Sequence, residues 1–247
     1  MKKQTIIAIG GGDFKTNKIL SIDQEIVRSA NKSNPRLLFI PTASSDNQTY
    51  AQAITQHFTQ LGCIVDTLYL LHQHLDMHAI SSMILSADII YVGGGNTLKM
   101  MNLWRRLGID RLLAHARENG AVLCGVSAGS ICWFNYGNSD SRKDKNPDAD
   151  YIKVTGLGFI NALHCPHYDT ERARQESLKR MMRKVPGQVA IALDDCAALQ
   201  IVDDTYRILA AQEHANGYRI YWHKGKFYHE VIEKKQKFTL LDQLLIK

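Results

Sequence analysis

The chain has 247 residues, 45% hydrophobic and 22% charged, with a formal net charge of +6. These values suit a globular domain and exclude a disordered or fibrous chain. A core of this size closes without disulfides or a structural metal. The densest basic runs, Arg142-Lys143-Asp144-Lys145 and Glu233-Lys234-Lys235-Gln236-Lys237, are interrupted and lack interleaved aromatics, so no nucleic-acid partner is expected.

The five cysteines, Cys63, Cys124, Cys132, Cys165 and Cys196, are odd in number, show no CxxC spacing and mostly lie in apolar runs. They are expected to be reduced and buried, as in a cytoplasmic protein. The apolar run Thr5–Ile9 is too short for a secretory leader, and no stretch approaches membrane-spanning length, so no membrane association is expected.

In chain order, β-rich runs alternate with helical patterns. Strands are predicted at Thr5–Ile9, Arg36–Ile40, Ile64–Leu70, Asp88–Val92 and Ala121–Val126. Between them, Asp46 is placed as the cap of a helix to about Leu61, Asp76 as the cap of one to Leu85, and Asn96 or Thr97 as the start of a third carrying Leu98, Met101, Leu103 and Trp104. A further strand is expected before His167 and a helix from near Thr170. The C-terminal part holds the closely spaced strands Gln188–Leu193, Ala197–Val202, Tyr206–Ala210 and Tyr218–Trp222. Lys224-Gly225-Lys226 is a hairpin turn before Phe227–Ile232. The pattern predicts a single α/β domain over residues 1–247. Its sheet is mainly parallel with helices on both faces, and extra antiparallel C-terminal strands are added at the edge.

Ligands of such sheets collect beyond the C-terminal strand ends. Small and polar residues gather there, in Gly10-Gly11-Gly12-Asp13, Pro41-Thr42-Ala43-Ser44, Gly93-Gly94-Gly95-Asn96-Thr97 and Gly125-Val126-Ser127-Ala128-Gly129. The last has the GxSxG form directly after an apolar strand, which projects a serine hydroxyl from a tight strand-to-helix turn. The Ala128 N–H then faces the position of an oxyanion, and Gly94 or Gly95 supplies a second donor. Neither glycine loop has dinucleotide or P-loop spacing: the third glycine of GxGxxG would fall at Leu98 or Lys15.

A nucleophilic serine requires a base. Most of the ten histidines, such as His72, His74 and His78, lie in polar surroundings, whereas His167 follows an apolar stretch at a strand end. Its competitor His164 falls within the strand, where a structural role is expected. Asp194 and Asp195 end another apolar run, and Asp140 lies in the loop after the nucleophile. The residues alone leave these three carboxylates open as the group that orients the base, since aspartate also serves turns.

Taken together, Gly93–Thr97, Gly125–Gly129, Pro166-His167-Tyr168 and Leu193-Asp194-Asp195 resemble, in order and spacing, the motifs of the peptidase E family, serine peptidases that include aspartyl dipeptidases and cyanophycinases. The resemblance runs from about Thr5 to Ala210. It implies a class I glutamine amidotransferase-like fold with serine in place of cysteine, Ser127 as nucleophile, His167 as base, and Ala128 with Gly94 or Gly95 as the oxyanion hole. It favours Asp195 over Asp140 as the third member, although the family often carries glutamate there. It implies a small peptide substrate and no cofactor. Arg172 or Arg174 is the candidate clamp for an acidic substrate group, with Asn96 as a further substrate contact. A homodimer is left open, as are a non-catalytic binding or sensing protein on this fold and an esterase of the α/β-hydrolase type, which would require Asp140.

Overall fold

A computed structural model of the protein describes residues 2–13, 16–72, 76–185 and 187–246, so His74 lies outside the described residues. The chain builds two sheets. The larger contains β1 (Thr5–Ile9), β2 (Arg36–Ile40), β3 (Ile64–Thr67), β4 (Ile89–Val92), β5 (Val122–Val126), β10 (Ala197–Val202), β11 (Thr205–Ala210) and β14 (Thr239–Leu240), in the order β14-β11-β10-β1-β5-β4-β2-β3. The run β1-β5-β4-β2-β3 is parallel, and β10, β11 and β14 extend it antiparallel.

The smaller sheet contains β6 (Phe134–Ser139), β7 (Ile152–Thr155), β8 (Ile160–Cys165), β9 (Val189–Leu193), β12 (Gly217–His223) and β13 (Lys226–Ile232), ordered β13-β12-β9-β8-β6-β7. This corrects the expected single sheet with all C-terminal strands at one edge. Only β10, β11 and β14 extend the first sheet, while β9, β12 and β13 belong to the second. Sequence spacing shows that strands exist but carries no information about which sheet each one joins.

The helices are α1 (Leu20–Ser29), α2 (Gln48–Gln60), α3 (Met77–Ser86), α4 (Thr97–Leu107), α5 (Ile109–Glu118), α6 (Ala128–Ile131), α7 (Arg172–Arg183) and α8 (Leu241–Leu245). Period-two alternation sorts the strand residues between layers. Ile7 and Ile9 of β1 pack with Ile22 and Ile26 of α1 and Ile54 and Phe58 of α2. Ile6 and Ala8 point the other way, into a core shared by α3, α4, α5 and the inner face of the second sheet. In β9, Val189, Ile191 and Leu193 face that central core, whereas Ala190 and Ala192 face Leu178 and Met182 of α7. Strands covered on both faces read as continuous apolar runs, which is why β1, β5 and β9 are legible in the sequence.

Local chemistry revises three boundaries. Asn47, not Asp46, caps α2, its side chain accepting from the Tyr50 N–H at 2.8 Å. Asp46 is buried in a left-handed conformation (φ 55°) and accepts from the Leu71 N–H. That use of Leu71 fits with β3 ending at Thr67 rather than Leu70. Asp76 and Asn96 cap α3 and α4 as expected. The hairpin turn is the pair Lys224-Gly225, both at positive φ, with His223 paired to Lys226.

Register aligns the strand ends that matter. Ile9 pairs with Val126, Val92 with Gly125 and with Ile40, and Cys165 with Ala192. The loops after β1, β2, β4 and β5 therefore share one rim, as the sequence predicts. Trp104 of α4 anchors this rim from below: it is fully buried and its indole N–H donates to Thr42 Oγ1 at 3.3 Å. Trp104→Ala is expected to lower stability by about 3–5 kcal/mol through the cavity it leaves, measured by urea unfolding.

Candidate active site

Ser127 terminates β5 with φ 56° and ψ −113°, a conformation that L-residues seldom adopt, and its N–H donates to the Ile9 carbonyl at 3.1 Å. The flanking glycines are required by close approach. A Cβ on Gly125 would lie 2.4 Å from the Gly129 carbonyl oxygen, and one on Gly129 2.1 Å from that of Val92. α6 is a single turn, after which the chain leaves the first sheet for β6 of the second.

His167 follows β8, also at positive φ (52°), with its N–H on the Gly10 carbonyl at 3.2 Å. Its Nε2 stands 2.9 Å from Ser127 Oγ and its Nδ1 2.6 Å from Asp195 Oδ1. The carboxylate accepts from Nδ1–H, which leaves Nε2 as the acceptor for the serine proton. Aspartate, one methylene shorter than glutamate, thus reaches the imidazole. Asp195 is itself held by its N–H on Asp169 Oδ1 at 2.9 Å. The His167 and Asp195 side chains are 25% and 31% exposed, open enough for a ligand to reach them.

The competing residues have other partners. His164 is fully buried, and burial pushes its imidazole down to about 3. Its Nδ1–H donates to the Ile191 carbonyl at 2.9 Å, and Nε2 meets Ser130 Oγ at 2.9 Å, so it is a neutral core histidine. Asp194, whose carboxyl burial raises, accepts from the Asn216 N–H and the Tyr218 hydroxyl. Asp140 is not at the imidazole; its Oδ2 accepts from Arg174 Nη2 at 3.1 Å.

Among the candidate substrate ligands, Arg172 is exposed on the first turn of α7, and Arg174 is buried in an internal ion-pair cluster. Asn96 is buried and fully employed. Its Oδ1 caps α4 on Lys99 N–H at 3.0 Å, and its Nδ2 donates to the Ser141 carbonyl and Asp144 Oδ2 at 2.8 and 2.7 Å. Beside the glycines it caps α4 and tethers the Ser141–Asp144 loop.

Gly94 packs against Ser127, since a Cβ there would lie 3.5 Å from the Ser127 Cβ. Beside it is Tyr50, whose hydroxyl burial pushes up to about 12, opposed by a hydrogen bond from the Gly94 backbone. A cleft of about 470 Å³ on the same rim is lined by Gly12, Asp13, Ser44, Tyr50, Tyr91 and Val126, the residue before Ser127, among others.

One contributor escaped the sequence reading. Gly11 was legible only as a rim glycine, yet a Cβ on it would lie 1.9 Å from Asp195 Oδ1 and 2.4 Å from His167 Nδ1. Its backbone forms the wall against which the histidine and the acid meet. The triplet Gly10-Gly11-Gly12 was the available signal, but its lack of phosphate-loop spacing left it without a role.

Comparison with known proteins gives the chain a family. A family model described as Peptidase family S51 matches residues 6–209. The chain belongs to this family. It is 36% identical over 217 residues to the uncharacterized peptidase YgaJ of Bacillus subtilis (strain 168), covering 87% of this chain and 91% of that protein. A peptidase E of Nostoc sp. (strain PCC 7120) is 22% identical over 220 residues, covering 85% and 86%. Among solved structures, a peptidase from an acI-B1 Actinobacterium superposes with a TM-score of 0.72 at 16% identity, covering 96% of each chain. A putative peptidase E from Listeria monocytogenes EGD-e gives 0.64 at 19% identity, covering 84% of this chain and 98% of that one. These two share the fold. Membership in the S51 family makes the protein a peptidase.

The wall formed by Gly11 provides a direct test. In Gly11→Ala the methyl group must push His167 and Asp195 apart. The rate of Ser127 labelling by a fluorophosphonate is expected to fall by about 10²-fold or more, with thermal unfolding checked in parallel to separate site damage from misfolding.

Proposed function

We propose that the protein is a serine-type peptidase that hydrolyses small peptides through an acyl-enzyme on Ser127. The observation that carries this reading is His167 bridging Ser127 Oγ and Asp195 Oδ1 through its two ring nitrogens. Ser127 gives its proton to Nε2 and attacks the scissile carbonyl. The imidazolium formed is stabilised by Asp195 and returns the proton to the leaving amine. The Ala128 N–H and a backbone N–H of the Gly94–Gly95 pair hold the oxyanion. Water repeats the sequence on the ester, releasing the acid and restoring Ser127. Every proton step uses this chain's own residues.

The order of the parts along the chain supports a class I glutamine amidotransferase-like arrangement within one hydrolytic domain, with serine as the nucleophile. Five free, buried cysteines support a cytoplasmic setting, and among the described residues no helix is long and apolar enough to cross a membrane. The esterase reading requires Asp140 on the histidine, and Asp140 is engaged by Arg174 instead. The binding-protein reading rested on a shortened acid, and the 2.6 Å contact of Asp195 removes that reason.

Ser127→Ala should abolish turnover of a dipeptide library while leaving the unfolding midpoint nearly unchanged; retained turnover would overturn the mechanism. Asp195→Asn is expected to lower kcat by about 10⁴-fold through loss of the correct imidazole tautomer. Asp140→Asn, compared on a neutral dipeptide, should cost far less, and the reverse ranking would assign the acid to Asp140.

A further inference from the structure

The peptide unit between Ser127 and Ala128 joins the serine turn to the oxyanion donor. A trans peptide is planar, so its carbonyl and its N–H point in opposite directions and turn together. Whatever fixes the Ser127 carbonyl therefore aims the Ala128 N–H. As the first N–H of α6, that donor has no acceptor within the helix. Ser127 itself sits at φ 56° and ψ −113°. A residue held in so sparsely populated a conformation persists only where its surroundings over-determine it.

Three donors meet on the Ser127 carbonyl. The Ser130 N–H and the Ile131 N–H each lie at 3.0 Å, and Ser130 Oγ lies at 2.7 Å. The two N–H groups are what any helical turn would supply. The hydroxyl is an addition made by the side chain. Ser130 and His164 are both fully buried, and Ser130 Oγ stands 2.9 Å from His164 Nε2. The His164 ring is fixed on two further sides. Its Nδ1–H donates to the Ile191 carbonyl at 2.9 Å, and its plane stacks on Phe134 with centroids 4.5 Å apart and an interplanar angle of 12°. The bond from Nδ1 sets the tautomer of the neutral ring and leaves Nε2 as an acceptor. The single hydroxyl proton of Ser130 is then shared between Nε2 and the Ser127 carbonyl. The brace runs from β9 through His164 of β8 to the turn that ends β5, so it ties the second sheet to one peptide of the first.

Building on the peptidase reading, we propose that Ser130 is a positioning residue for the oxyanion hole and that His164 acts through it. The hydroxyl, held by the buried imidazole, pins the Ser127 carbonyl toward the core and keeps the Ala128 N–H aimed at the oxyanion. His167 moves the proton, whereas His164 moves none and holds the peptide. Oxyanion charge develops only in the transition state, so a misaimed donor costs kcat and leaves KM alone.

The test uses the wild type, Ser130→Ala, Ser130→Cys, His164→Phe and the double variant Ser130→Ala/His164→Phe. Each is read as kcat and KM on one dipeptide that the wild type cleaves. Each is also read as the maximal rate and half-saturating concentration of Ser127 labelling by a fluorophosphonate, whose phosphoryl oxygen enters the oxyanion hole. Thermal unfolding sets an assay temperature at which every variant is folded. Ser130→Ala should lower kcat and the maximal labelling rate by about tenfold or more, with KM and the half-saturating concentration within about twofold of wild type. Ser130→Cys fills the same space with a weak donor and should fall with the alanine variant; a side chain that only packs would leave it at the wild-type rate. His164→Phe keeps the stack on Phe134 and should cost a smaller factor in kcat, and none once the Ser130 hydroxyl is gone. If alanine at this position fails to fold, the cysteine variant carries the test, alone and combined with His164→Phe. The inference is overturned if Ser130→Cys keeps the wild-type kcat and labelling rate, if the losses fall on KM, or if His164→Phe costs as much without the hydroxyl as with it. Failure of wild-type Ser127 to label would instead sink the hydrolase reading itself, so the two failures are distinguishable.

Discussion

The site depends on one close approach: the backbone of Gly10-Gly11-Gly12 passing directly beneath the loops that carry His167 and Asp195. The Gly10 carbonyl accepts from the His167 N–H and the Gly11 carbonyl from the Cys196 N–H, so one stretch of β1 exit loop holds the segments of His167 and Asp195 in place. The space for their 2.6 Å contact exists because Gly11 has no side chain. The Ile9 carbonyl, immediately before it, accepts from the Ser127 N–H. All three members are thus referred to the same end of the same strand, and a shift of β1 would move them together.

The two-sheet architecture explains why the members come from distant parts of the chain. Ser127 lies where the chain crosses from β5 in the first sheet to β6 in the second. Asp195 lies where it crosses back from β9 to β10. His167 leaves β8, beside β9, and donates across to the first sheet. At these crossings the backbone must turn sharply, and Ser127, His167 and Cys196 all adopt positive φ. Such conformations cost roughly 1–3 kcal/mol each and persist where surrounding contacts over-determine them. The apolar layers on both faces of the larger sheet supply that constraint.

Much of this was legible one strand at a time. β1, β2 and β5 read as buried runs because both of their faces are covered, and the serine turn reads from glycines that its neighbours' backbones require. The β6–β7 pair, α1 and α5 passed unnoticed. β6, Phe134–Ser139, carries Asn135, Asn138 and Ser139 among its apolar residues; Asn138 and Ser139 are buried, and the partners that satisfy them, Ser177 and Thr97, lie far away in sequence. Arg174 illustrates the same limit. On α7 it resembles the surrounding solvated cations, and its burial depends on Asp140, 34 residues earlier, and on Glu171.

The sequence by itself determined the strand–helix alternation, the serine turn and the histidine that faces its hydroxyl, because each rests on local periodicity or on residues whose chemistry has few substitutes. The tertiary structure alone decided which aspartate meets the imidazole, which sheet the late strands join, and that Arg174 is filled from within. These depend on distances between segments far apart in the chain. An aspartate's reach of a few ångströms settles its role only after the backbone has placed it.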